Sequence, residues 1–102
     1  MEMILTGRMI TAEEAHQYGI VNFIFDSDEL ETKTLEIANT IANKSPYAIE
    51  RAKKCVRVVA KMSLDKGLEY EQDMFIECFK SEDGKEGITA FIEKRKANFK
   101  GK

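Results

Sequence analysis

In 102 residues there are one proline, six glycines, two cysteines, one histidine and no tryptophan. Each scarcity excludes something. With so few helix breakers, most of the chain is free to run as regular structure. Cys55 and Cys78 match no zinc or redox spacing, so both are expected to pack as small hydrophobes in a reducing compartment. His16, standing alone, cannot build a zinc site or a catalytic triad, and a polar helix face is its expected home. The longest apolar runs are only a few residues, far short of a bilayer span. The start, Met1-Glu2-Met3-Ile4-Leu5, has neither a basic segment nor a long apolar one, and no secretory signal is expected. Gly-rich phosphate loops, metal-ligand spacings and nucleophile elbows are all missing.

What remains is an ordinary soluble composition, 43% hydrophobic and 33% charged, rich in the helix formers Ala, Glu, Lys, Ile and Leu. The length suits one domain with one modest core. Charge is uneven. Lys94, Arg95, Lys96, Lys100 and Lys102 put +5 on the last nine residues, so the first 93 carry −7 of a total of −2. A basic tip of this kind either attracts phosphate or simply complements the negative end of a helix macrodipole.

Punctuation and periodicity predict a mainly α chain: a short helix, one short strand, then about four helices in an antiparallel, bundle-like arrangement. Thr11-Ala-Glu-Glu14 is a capping box, so a helix is expected over about 12–18 and ended by Gly19. Val21 to Phe25, β-branched and aromatic, reads as the strand, although nothing else in the chain offers it a partner. Apolar residues at helical spacing then predict helices over about 28–43, 46–61, 64–80 and 83–96. Ser45 with Pro46 and Ser63 serve as starts. Leu64, Leu68, Phe75 and Phe79 form the apolar stripe of the helix over 64–80, and the tail from Ala97 to Lys102 is expected to fray.

Catalysis requires convergent groups, and none appear. Glu13, Glu14, Glu29, Glu31, Glu69 and Glu71 sit where solvated faces and helix starts put them. The chain alone does not read as a complete enzyme. One constellation stands out. If the last two helices form a hairpin around Ser81 to Gly84, Phe75 and Phe91 each lie roughly 10 Å from the turn. Lys94 follows Phe91 by three residues on the same helix face. Two rings beside one cation suit a flat, phosphorylated ligand such as an adenine nucleotide. Equally, both rings are core and Lys94 reaches solvent.

Several segments resemble one family. Leu5-Thr-Gly-Arg-Met-Ile-Thr-Ala-Glu-Glu-Ala15 and Tyr18-Gly-Ile-Val-Asn22 are similar to the stretch that follows the catalytic core in the crotonase (enoyl-CoA hydratase/isomerase) family. Ala42-Asn-Lys-Ser-Pro46 resembles the entry to its next helix. Phe79-Lys-Ser-Glu-Asp83, Lys85-Glu-Gly87 and Ala90-Phe-Ile-Glu-Lys-Arg95 look like its C-terminal hallmark, and Lys96-Ala-Asn-Phe-Lys100 is close to the ending of short-chain hydratases. Together these cover essentially the whole chain in order.

The resemblance implies that residues 1–102 are the C-terminal helical region of such an enzyme, with the catalytic spiral core absent. In the family, two glutamates of that core activate water for addition to a 2-enoyl-CoA, and two backbone N–H groups stabilise the thioester enolate. No position here matches them, so no catalytic residue is carried over. Met1 reads as a start placed just after such a core. The helical region is implied to build an oligomer interface with the core and neighbouring subunits, and to cover the coenzyme A site through Phe75, Phe91 and Lys94. Acyl-CoA would be the substrate of the parent enzyme, in fatty-acid metabolism, with no cofactor. Cytoplasm, or the mitochondrial matrix in a eukaryote, is the expected location, without nucleic-acid or membrane partners. The alternative is a free-standing helical interaction module of the same ancestry without enzymatic activity. A nucleic-acid role for the basic tail fits poorly with a pI near 5.5 and no interleaved aromatics.

Overall fold

The computed structural model describes all 102 residues and is mainly helical. Its elements are α1 (Glu2–Thr6), α2 (Ala12–Gln17), α3 (Leu30–Ala42), α4 (Pro46–Val58) with a 3₁₀ turn at Val59–Lys61, α5 (Leu64–Lys80) and α6 (Glu82–Ile92). The chain forms two compact units, Met1–Ile37 and Ala38–Lys102.

In the first unit, the capping box predicted at Thr11 is made in full. The Glu14 N–H donates to Thr11 Oγ1 at 3.2 Å, and the Thr11 N–H donates to Glu14 Oε2 at 3.1 Å. The helix ends as expected at Gly19, whose φ of 71° lets its N–H reach the His16 carbonyl while the Ile20 N–H reaches Ala15. His16 is exposed on the last turn, with Nδ1 3.4 Å from the Val21 carbonyl oxygen. Glu2 and Glu14 both bind the Arg8 guanidinium, tying α1 to α2.

The strand expected over Val21 to Phe25 does not form, and the segment is irregular. The physical reason was visible in its isolation: a strand without a sheet partner has nowhere to send its N–H and C=O groups except water. The Phe23 and Phe25 rings stack on each other instead, with centroids 5.8 Å apart.

The second unit is built on α4, α5 and α6, with α4 packed on α5 and α5 on α6. Ser45 caps α4 through the Ala48 N–H at 3.1 Å, with Pro46 at the first helical position, and Ser63 caps α5. Among the half-buried residues of α4, Ala48, Arg51, Cys55 and Val58 recur at helical spacing. So do Gly67, Tyr70, Met74 and Cys78 on α5. Arg51 joins the two helices, resting 3.3 Å over the Tyr47 ring and bonding Glu77 at 3.2 Å.

The apolar stripe of α5 faces solvent. Leu64, Leu68, Phe75 and Phe79 are all more than half exposed, and Val56 on α4 is 73% exposed. The only buried hydrophobic residues are Ala15 and Ala90. Contact within the unit uses a face of mixed polarity on each helix, and leaves the most apolar faces uncovered.

Two expectations about the C-terminus are corrected. The last helix stops at Ile92, not near residue 96, and the tail does not fray. Asn98, Lys100 and Gly101 donate backbone N–H groups to side chains of α6, and the Asp83 N–H donates to the Lys102 carbonyl at 2.9 Å.

Candidate functional site

Ser81 alone separates α5 from α6 and serves both. Its hydroxyl donates to the Cys78 carbonyl at 2.7 Å and accepts from the Gly84 N–H at 2.9 Å. The joint is tight enough that a Cβ at Gly84 would collide with the Cys78 carbonyl oxygen. One turn on, Gly87 leaves room for the Phe99 ring, whose nearest atom would lie 3.5 Å from a Cβ there. The result is an open, mostly apolar cleft of about 390 Å³, walled by Cys78, Gly84, Gly87, Ile88, Phe91 and Phe99. Burial pushes the Cys78 thiol up from its ordinary value, so it stays a packing group.

At the far end of α6 the chain turns through a two-bond motif. The Lys94 N–H donates to the Phe91 carbonyl and the Arg95 N–H to Ala90, with Lys94 at φ 54°. This is the left-handed position where Gly19 closes α2. A lysine there carries the steric cost of its Cβ.

The sequence-derived site residues are therefore placed as follows. Phe91 lies in the last turn of α6, 85% exposed on the rim of the cleft, whereas Lys94 lies two residues past the end of α6 and not on the helix face expected for it. Phe75 projects from α5, 67% exposed, and its ring partner is Phe79, with centroids 6.4 Å apart. Phe75 and Phe91 make no ring contact with each other. Of the basic tail, Arg95 bonds Glu86 and Glu93, and Lys102 lies 3.7 Å from Glu82. Lys94, Lys96 and Lys100 form no ion pair, and are the tail cations left open to an anion.

Sequence reasoning missed two carboxylates. Asp83 is 3% exposed and Glu86 lies one turn further on. Their spacing on one face was a signal, masked by reading Ser81 to Gly84 as the turn of the hairpin. Asp83 Oδ2 accepts from the Ser45 hydroxyl at 2.6 Å, and Oδ1 accepts from the Lys100 and Gly101 N–H groups at 2.7 and 3.1 Å. Burial alone would push its carboxyl up, but these bonds, Ser45 first, outweigh it and hold it below the usual range. No group of three or more His, Cys, Asp or Glu side chains is placed to hold a metal ion.

The enoyl-CoA hydratase/isomerase family model matches residues 1–102, the entire chain. The chain belongs to that family. It is 42% identical over 100 residues to the mitochondrial enoyl-CoA hydratase of Pongo abelii, covering 98% of this chain and 34% of that protein. It is 39% identical over 101 residues to the 2,3-dehydroadipyl-CoA hydratase of Escherichia coli K12, covering 99% of this chain and 40% of that one. Among solved structures, the enoyl-CoA hydratase of Bacillus anthracis superposes with a TM-score of 0.92 at 39% identity, over 99% of this chain and 39% of that one. The chain thus spans between a third and two fifths of the length of these family members. None of its helices is long and apolar enough to cross a membrane.

Proposed function

We propose that this chain is the C-terminal helical part of an enoyl-CoA hydratase, and that it works by covering the coenzyme A site and packing against the catalytic core and neighbouring subunits of a homo-oligomer. The whole enzyme would be a lyase of fatty-acid metabolism, hydrating trans-2-enoyl-CoA to 3-hydroxyacyl-CoA. The catalytic groups would belong to the core, and the 102 residues alone would be inert. Free half-buried thiols suit a reducing compartment, cytoplasmic or mitochondrial.

One observation carries this reading. Serine side chains cap α4, α5 and α6, yet the apolar stripes of these helices face outward: Phe75, Phe79, Leu64 and Leu68 on α5, Ile92 and Phe91 on α6, Val56 on α4. Exposed apolar surface on this scale marks an interface rather than a finished surface. It disfavours a free-standing interaction module, which would present one bounded patch over a packed core.

Phe91 and Lys94 are the residues we assign to the adenine and phosphate end of coenzyme A, with Phe75 on the adjoining face. An exposed ring offers a stacking surface, and an unpaired ammonium at a fixed backbone corner offers a charge for phosphate. The test is a graft. This chain replaces the corresponding segment of the Bacillus anthracis enzyme, and hydration of crotonyl-CoA is followed by loss of enoyl absorbance. The graft is expected to be active, with Phe91→Ala and Lys94→Ala each raising KM several-fold at little cost in kcat. Unchanged KM in both would remove the assignment.

A further inference from the structure

The tail from Lys94 to Lys102 runs back along α6 and is held there by two carboxylates three residues apart. Glu86 Oε1 accepts from the Asn98 N–H at 2.7 Å, and both its oxygens take the Arg95 guanidinium at 2.6 and 2.9 Å. Asp83 takes the N–H groups of Lys100 and Gly101, and its own N–H closes on Lys102. Asp83 Oδ2 also accepts from the hydroxyl of Ser45, the cap of α4, and shares the Gly101 N–H. Beyond the carboxylates, the tail is seated by shape: Phe99 lies on Gly87, and Gly101 lies against Pro46.

We propose that Asp83 and Glu86 are positioning residues, a two-point clasp that holds the tail along α6 and so keeps Lys94 in its left-handed corner with its ammonium free. Arg95 is the residue immediately after that corner. By binding it through both oxygens, Glu86 fixes the chain direction out of Lys94 and withdraws the neighbouring guanidinium from any anion that Lys94 meets. Neither carboxylate is a catalytic residue, because each spends its acceptors on this chain's own backbone and side chains. The significance of the free ammonium rests on the coenzyme A reading above, whereas the clasp itself does not.

Hydrogen exchange by mass spectrometry on the 102-residue chain separates the two. In Glu86→Gln, the Asn98 amide is expected to lose protection by at least about tenfold, with the amides of α4 and α5 unchanged. In Asp83→Asn, Lys100 and Gly101 should lose protection to a similar degree. Glu86 lies near the surface, so its amide variant removes the hold on the tail without disturbing the cap of α4, which Asp83→Asn also touches. Unchanged exchange at Asn98 in Glu86→Gln overturns the proposal whatever Asp83→Asn does. Because no ligand is present, this result stands or falls separately from the KM values of the graft. A graft carrying Glu86→Gln is expected to raise KM for crotonyl-CoA with kcat retained, and the further variant Glu86→Asp, which keeps the charge, to recover part of it. Identical KM values for all three would leave no positioning role.

Discussion

Glu86 holds Arg95 through both carboxylate oxygens across nine residues of sequence, at 2.6 and 2.9 Å, and the same carboxylate accepts the Asn98 N–H. The guanidinium first and the amide second hold the Glu86 carboxyl down at about 2, against an ordinary 4.5. A group whose folded pKa is depressed adds stability that is complete above its unfolded value and is lost as pH falls through the folded one. Attachment of the tail should therefore weaken between about pH 4.5 and pH 2. The Asn98 and Arg95 amide chemical shifts, followed through that window, should titrate together in the native chain and stay flat in Glu86→Gln. Flat shifts in both would mean that the pair does not hold the tail.

Lys94 allows structure and ligand binding to be told apart at one residue. Glycine suits its left-handed backbone, so Lys94→Gly should raise stability by about 0.5–1 kcal/mol, while Lys94→Ala should leave it near native. In the graft, both should raise KM for crotonyl-CoA. Denaturant midpoints together with KM read the two effects, and a stabilised Lys94→Gly with unaltered KM would leave the corner as backbone geometry alone.

The glycines of α5 and α6 make opposite predictions. Nothing lies within 4 Å of a Cβ at Gly67, so Gly67→Ala should stabilise α5 by about 0.5–1 kcal/mol through helix propensity. At Gly84 the added carbon would collide with the Cys78 carbonyl oxygen, and Gly84→Ala should cost about 1–3 kcal/mol by forcing α5 and α6 apart. Circular dichroism at 222 nm during urea unfolding would rank the two variants on either side of the parent.

Much of this was legible in the sequence because caps are local. Thr11 with Glu14, Gly19, Ser45 with Pro46 and Ser63 each act within four residues, and each sits where the spacing placed it. Burial was not legible, because it depends on partners. The stripe Leu64, Leu68, Phe75 and Phe79 has a core pattern but no partner within the chain. The irregular segment at Val21 to Phe25 lacks a sheet for the same reason. The tail, predicted loose, is fixed by Asp83 and Glu86 across 12 to 18 residues, a range that periodicity does not reach. For the site, the shared helix face expected for Phe91 and Lys94 is lost because α6 ends at Ile92 and Lys94 turns into a left-handed corner, and Phe75 pairs with Phe79.

Uncovered apolar faces seek cover. The isolated chain should self-associate with rising concentration, and the segment from Val21 to Phe25 should exchange its amides fastest. Multi-angle light scattering over a hundredfold concentration range would show this as a rising mean mass. A constant monomer mass would mean that the open stripes are tolerated in water.

The most direct measurement mixes this chain with the upstream portion of the Bacillus anthracis enzyme, produced without its own corresponding segment. Neither piece alone should hydrate crotonyl-CoA, and the mixture should co-elute and do so. Turnover of crotonyl-CoA by the purified 102 residues alone, surviving a contamination control, would contradict the account.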